Sequence, residues 1–229
     1  MPTIHFDHAH VAFDDAVILS DISLTLTERR IGIIGANGSG KSTLARLING
    51  LIEPTSGRVL YDDHSTTDHG KSIRTQVGFV FSDAESQIVM PRVADDIAFS
   101  LRKSSFSKQE RRERVDDMLN RFGLEELADN SPHTLSGGEK QLLALAAVLV
   151  MEPRTIIADE PTTLLDLRNR HRIAREFAQL EQQLIVVTHD LELVDDFERV
   201  LVIDDGAVTF DGPAPDAISF YTDLMDARP

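Results

Sequence analysis

Cysteine and tryptophan are both missing from this chain, and aromatic residues of any kind fill only 6% of its 229 positions. Without cysteine there can be no disulfide, no zinc ribbon and no thiolate nucleophile. Basic residues are scarce too: 23 Lys and Arg against 38 Asp and Glu leave a formal charge of -15, which repels nucleic-acid backbones and anionic lipid surfaces alike. No nucleic-acid partner is expected. The longest uninterrupted apolar run, Leu142 to Met151, is about half of the ~20 residues a spanning helix needs. The first residues show no basic-then-apolar leader, so the expectation is a cytoplasmic protein. There is no repeat or low-complexity tract. With 41% apolar content, the length suits one α/β domain carrying an inserted subdomain.

What the chain does have is Gly35-Ala36-Asn37-Gly38-Ser39-Gly40-Lys41-Ser42-Thr43, directly after the apolar run Ile31 to Ile34. This fits the phosphate-cradling pattern G-x-x-x-x-G-K-[S/T]. Its glycines let successive backbone N–H groups turn inward on phosphate oxygens, and the following helix aims its positive dipole end at the same place. Lys41 is expected to bridge the outer phosphates and the Ser42 hydroxyl to hold Mg²⁺. The pattern predicts binding of a nucleoside triphosphate.

Around this loop the elements alternate. Short β-rich runs at Ile4 to Phe6, His10 to Phe13 and Ile22 to Leu26 predict a small sheet before the loop. Leu44, Leu47, Ile48 and Leu51 have the spacing of one buried helix face, with Pro54 at its exit. Arg58 to Tyr61 and Val77 to Phe81 read as strands, and the polar stretch between them, with Asp62, Asp63, His64, Asp68 and His69, as a solvent-facing loop. Residues 82 to 152 change character and read as an inserted helical lobe. In it, Ser107 and Glu110 form a capping box and Gly123 is a left-handed cap. Thr155 to Ala158 and Leu184 to Thr188, separated by a helical segment around Arg168 to Leu180, give the βαβ alternation of a parallel sheet. Val200 to Ile203 and Ala207 to Phe210 read as a hairpin across Asp204-Asp205-Gly206.

Two further segments carry chemistry. Ile156-Ile157-Ala158-Asp159-Glu160 is an apolar strand ending in two carboxylates; beside a phosphate loop, Asp159 suits the Mg²⁺ that Ser42 also touches, and Glu160 suits polarising an attacking water. Leu135-Ser136-Gly137-Gly138-Glu139-Lys140-Gln141 opens a helix with a second capping box, Ser136 with Glu139. Capping explains Ser and Glu but does not require Gly137-Gly138, which cost a helix start conformational entropy. They make this turn a second anion site.

Taken together, these segments resemble the ATPase subunit of ATP-binding-cassette (ABC) transporters. Leu135 to Gln141 is similar to the family signature, residues 35 to 43 and 156 to 160 to its two nucleotide motifs, Pro161 to Asp166 to its D-loop, and Thr188-His189-Asp190 to its switch histidine. The resemblance spans nearly the whole chain, and it implies a P-loop NTPase fold of 1–229: a parallel-sheet core, a small N-terminal antiparallel β part and a helical subdomain inserted at 82–152. It implies ATP and Mg²⁺ as cofactors and Glu160 and His189 as catalytic, with His189 bonding the γ-phosphate. It also implies a head-to-tail dimer, with itself or a paralogue, in which Ser136, Gly137 and Gly138 of one subunit close over the ATP of the other. Phe13 fits the adenine-stacking position, although a lone aromatic on a strand serves as well in a core. The partners implied are integral membrane subunits, one coupling and one binding substrate. They would hold the chain peripherally on the cytoplasmic face of the cell membrane.

One departure stands out: Ser82 takes the place of the family's glutamine after the strand Val77 to Phe81, and Gln87 is not assigned that role. Ser86 to Val93 with Asp95 to Phe99 resembles the energy-coupling-factor subgroup of vitamin and metal-ion importers, and the brief segment after Gly212 points within it to biotin transport; cobalt or nickel is the alternative cargo. A soluble assembly ATPase of the same fold is a competing reading, and a small-molecule kinase would have no need of Leu135 to Gln141. Strand alternation puts His5 and Asp7 on one face and His8 and His10 on the other, which argues against a metal site there. Asp95-Asp96 and Asp195-Asp196 read as solvated surface.

Overall fold

The structure, a computed structural model, describes residues 1–14, 16–163 and 165–228. Two sheets organise it. The first is antiparallel, with strands β1 (Ile4–Phe13), β2 (Ala16–Leu26), β4 (Ser56–Tyr61) and β5 (His64–Ser65) in the order β2-β1-β4-β5. The second contains β3 (Arg30–Ile34), β6 (Val77–Val80), β7 (Thr155–Asp159), β8 (Gln183–Val187), β9 (Arg199–Asp204) and β10 (Ala207–Gly212) in the order β10-β9-β3-β8-β7-β6. Its pairs are parallel except for the β9–β10 hairpin. The small antiparallel sheet is thus not purely N-terminal: β4 and β5 follow the phosphate loop in sequence, β4 returning to pair with β1 and β5 with β4.

Strands of the parallel sheet bury both faces, as their unbroken Ile/Val/Leu runs require. Ile31, Ile33, Ile157, Ile185 and Val187 face the antiparallel sheet and α1 (Lys41–Ile48). Ile34, Ile156, Ala158, Leu184 and Val186 face the helical side. That side carries α3 (Ala84–Gln87), α4 (Val93–Ser100), α5 (Lys108–Phe122), α6 (Gly137–Leu149) and α7 (Leu167–Gln179). Both predicted capping boxes form, at Ser107 with Glu110 and at Ser136 with Glu139, and Gly123 closes α5 in the left-handed conformation. No helix among the described residues is long and apolar enough to cross a membrane.

Three local expectations need correction. The stretch read as a loop between β4 and β6 folds into β5 and α2 (Thr66–Ile73), capped by Ser65, with Thr66, Gly70 and Ile73 buried. Its polar residues hid a helix that buries a single large apolar side chain, Ile73. The alternation of β1 breaks at His8, which has a positive φ of 51° at a register shift between Phe6 and Ala9. The core residues run Ile4, Phe6, Ala9, Val11, so His5, Asp7 and His10 share the outer face. Asp96 is not solvated surface: it is buried, and its Oδ1 accepts from the N–H groups of Val89 and Met90 at 2.8 and 2.9 Å. Beyond the hairpin, α8 (Ala214–Asp226) closes the described chain and buries Ala214 and Ala217.

Candidate functional site

Sheet register gathers the site. Ile33, Val187 and Asp159 lie in one row across β3, β8 and β7, so the phosphate loop, His189 and the Asp159-Glu160 pair all leave the sheet at its carboxyl edge, where open α/β folds bind ligands. The loop Gly35 to Gly40 then turns directly into α1. Gly35, at φ 152°, has no room for a side chain, because a Cβ there would lie 2.1 Å from the Ile203 carbonyl oxygen. Gly40 is left-handed at φ 104°. The Ser39 hydroxyl is buried without a hydrogen-bond partner, an orphan that a phosphate oxygen would satisfy. Thr43 follows Ser42 in the first turn of α1, and Ala36, Asn37 and Gly38 form the loop crest.

Lys41 is 6% exposed, and its Nζ donates to the carbonyl oxygens of Gly35 and Ala36, both at 2.9 Å. Burial holds its pKa below the ordinary lysine value, opposed by the nearby Glu160 and Asp159 carboxylates. Asp159 is 1% exposed. Burial pushes its carboxyl up, while the hydrogen bond from Ser42 and the charge of Arg46 pull it down. Ser42 Oγ donates to Asp159 Oδ1 at 2.8 Å, and an Arg46 guanidinium nitrogen lies 3.5 Å from Oδ2. Ser42 and Arg46 are one helical turn apart, so a single face of α1 grips both carboxylate oxygens. A hydroxyl and a carboxylate are the hard oxygen donors Mg²⁺ takes, and that ion needs few protein ligands when phosphates supply the rest. Among the described residues no group of three His, Asp or Glu side chains could hold a metal by itself.

Glu160 has a left-handed backbone, φ 52°, fixed by its N–H donating to the Val187 carbonyl at 2.8 Å. Its Oε2 lies 2.8 Å from His189 Nδ1 and accepts from Thr163 Oγ1 at 3.2 Å. Two partners on one oxygen fix the plane of the carboxylate, and the other oxygen suits orienting a water. The structure therefore brings Lys41, Ser42, Asp159, Glu160 and His189 to one edge. Phe13 lies at the end of β1 and is 53% exposed, so it belongs to no core.

The signature turn stands apart. Ser136 caps α6, its Oγ accepting from the Glu139 N–H at 3.3 Å while Glu139 Oε2 accepts from the Ser136 N–H at 2.7 Å. Gly137 faces open space, whereas a Cβ on Gly138 would lie 2.3 Å from the Asn169 side chain. Sequence reasoning missed Asn169, and it missed Arg46. For Arg46 the available signal was its place four residues after Ser42. In the D-loop run, Leu164 lies outside the described residues, and Asp166 caps α7 by accepting from the Asn169 N–H at 2.8 Å. Ser82 is exposed. Gln87 folds back, its Oε1 accepting from the Phe81 N–H at 3.1 Å and its Nε2 donating to the Ala144 carbonyl at 3.3 Å. It thus ties the end of β6 to α6.

Residues 19–163, well over half of the chain, match the family model described as ABC transporter. The chain belongs to that family. It is 49% identical to the biotin transport ATP-binding protein BioM of Rhizobium etli, over 96% of this chain and 98% of that protein. With the energy-coupling factor transporter ATP-binding protein EcfA1 of Halalkalibacterium halodurans it shares 40% identity over 90% of this chain and 76% of that one. Among solved structures, cbiO1 from Clostridium perfringens, described as part of the ABC transporter complex cbiONQ, superposes with a TM-score of 0.84 at 31% identity, covering 97% and 93% of the two chains. The ATP-binding cassette MJ0796, a dimer in a post-hydrolysis state bound to ADP and phosphate, gives 0.79 at 28% identity, with 93% and 99% covered. This ABC ATPase is the ATP-binding subunit of a transporter, and the family works as dimers together with membrane components.

Proposed function

We propose that this ABC ATPase energises an energy-coupling-factor importer whose cargo is biotin. Mg²⁺–ATP sits on the loop Gly35 to Thr43 with Lys41 on its outer phosphates, Ser42 and Asp159 on the metal, and Phe13 against the adenine. Bound Mg²⁺ would neutralise charge building up on the transferred phosphoryl group. Glu160 orients and polarises the attacking water, and His189, which already holds Glu160 Oε2, reaches the γ-phosphate. Ser136, Gly137 and Gly138 of a second subunit cover the nucleotide. The helical lobe at 82–152 docks on the membrane subunits, keeping the chain on the cytoplasmic face of the membrane. The observation that carries the chemistry is the pair of contacts, Ser42 to Asp159 and Glu160 to His189, side by side at one sheet edge. Support for the cargo comes from the relative named for biotin transport.

Reconstitution of the chain with its membrane subunits tests both parts. Glu160→Gln is expected to keep ATP binding while lowering turnover by at least ~10²-fold, the usual loss when a general base is removed, and to stop ATP-driven accumulation of biotin in parallel. Near-normal turnover would remove Glu160 from this role. Accumulation of cobalt or nickel in place of biotin by the unmodified complex would reassign the cargo and leave the chemistry intact.

A further inference from the structure

Two copies of a chain carrying -15 must press together if the signature of one is to cover the nucleotide of the other, and like charge on that scale opposes the approach. Helix α7 shows where the opposition is relieved. Arg168 lies in its first turn, with Arg172 one turn further, and that first turn holds no acidic residue. Cations at a helix N-terminus face the positive end of the dipole and are disfavoured there. The arginines Arg168, Arg172 and Arg175 line a cavity of about 390 Å³ together with Ser136, Glu139 and Asp166.

The two carboxylates at this cavity are already engaged in capping. Glu139 holds the Ser136 N–H and Asp166 the Asn169 N–H. Among the described residues none of the three arginines is paired with a carboxylate, in contrast to their neighbour Arg170, 3.6 Å from Asp190. Arg172 donates one N–H to the Phe122 carbonyl, and Arg168 and Arg175 are exposed. The rim of the phosphate loop has the opposite sign. Asp205 is exposed at the turn whose Gly206 N–H donates to the Ser39 carbonyl at 3.1 Å, and Asp14 is exposed beside Phe13. A bound triphosphate adds further negative charge to that face.

We propose that Arg168, Arg172 and Arg175 form an electrostatic dock, beside the signature turn, for the acidic, nucleotide-loaded rim of a second copy of this chain. The proposal rests on the head-to-tail reading given above. Its expected effect is on association more than on monomer chemistry, because charges of opposite sign steer encounter and are screened by salt.

The test uses the Glu160→Gln chain with ATP, following pairing by sedimentation at low and high ionic strength. Adding Arg168→Glu and Arg175→Glu should weaken ATP-driven pairing by about tenfold or more at low salt and shift its salt dependence toward tighter pairing at high salt. Arg168→Lys with Arg175→Lys, which keeps the charge, should restore both. ATP affinity of the unpaired chain, measured in parallel, should be the same in all variants and shows that each is folded. Charge-reversed variants that pair with unchanged affinity and salt slope overturn the dock alone. A parent chain that stays single with ATP at every salt concentration overturns the sandwich reading and the dock with it.

Discussion

The phosphate loop and the signature turn are both helix starts built on glycine, yet they differ in how much of their chemistry is finished within one chain. At the loop, Lys41 and Asp159 are almost fully buried, and the polar groups hold one another: Lys41 on loop carbonyls, Ser42 and Arg46 on Asp159. At the signature, the backbone at Gly137 is open and the nearby Arg168, Arg172 and Arg175 have no carboxylate partner among the described residues. A preorganised site aligns its groups before the ligand arrives, which lowers the reorganisation needed later. An open one needs another surface to complete it. Within one chain the loop is a finished cradle, whereas the turn is an exposed face.

That contrast can be broken most severely at Gly35. Gly35→Ala forces a Cβ to within 2.1 Å of the Ile203 carbonyl oxygen at φ 152°, which should cost at least ~2 kcal/mol of stability. A thermal melt should show Tm lower by roughly 4 °C or more in a chain of this size, with nucleotide binding lost. Gly137→Ala meets no atom within 4 Å and should leave Tm unchanged. Equal melting of the two variants would show that the cradle is no more tightly built than the face.

A smaller effect is expected at the cap. Ser136→Ala removes the acceptor for the Glu139 N–H and should cost about 1 kcal/mol in unfolding by denaturant. Ser136→Thr keeps a capping hydroxyl and should recover that loss. If Ser136→Ala leaves stability unchanged, the cap contributes nothing and the hydroxyl is free for a partner's nucleotide alone.

Smallest of all is the pair of exposed Glu85 with half-buried Lys140, 3.0 Å apart on the helical lobe. The hydrogen bond from the Lys140 ammonium, with its charge, holds the Glu85 carboxyl below the ordinary value of 4.5, and His133 adds to this. The folded chain therefore gives up this proton more readily than the unfolded chain. The pair's contribution is present above pH 4.5 and is lost as pH falls through the folded value. Glu85→Gln should flatten the acid side of a plot of Tm against pH, slightly, since the pair is screened by water. Parallel curves for the two chains would assign the pair no part in acid stability.

Much of this was legible along the chain. The loop Gly35 to Thr43, the carboxylate-ended strand β7 and both capping boxes are short-range patterns whose physical cause lies within a few residues, so the residues state it directly. Other features were not. The helix α2 hid in a polar stretch, because Thr66 and Gly70 are buried by neighbours rather than by their own apolarity. The bulge at His8 reversed the face of His10, and no residue near it announces a register shift. Asp96 looked like surface until the backbone of Val89 and Met90 was seen to need it.

The sequence alone determined the inventory: a phosphate loop, two carboxylates ending a strand, a glycine-rich capped turn and a histidine after a buried strand, each written locally by backbone and side-chain preference. The tertiary structure decided the assembly. Placing β8 between β3 and β7 is what puts His189 on Glu160 and Ser42 on Asp159, contacts spanning 29 and 117 residues. It also left the signature turn and its arginines facing outward. Strand order and register depend on which long-range pairings bury the most apolar surface together, and that quantity belongs to the whole chain at once.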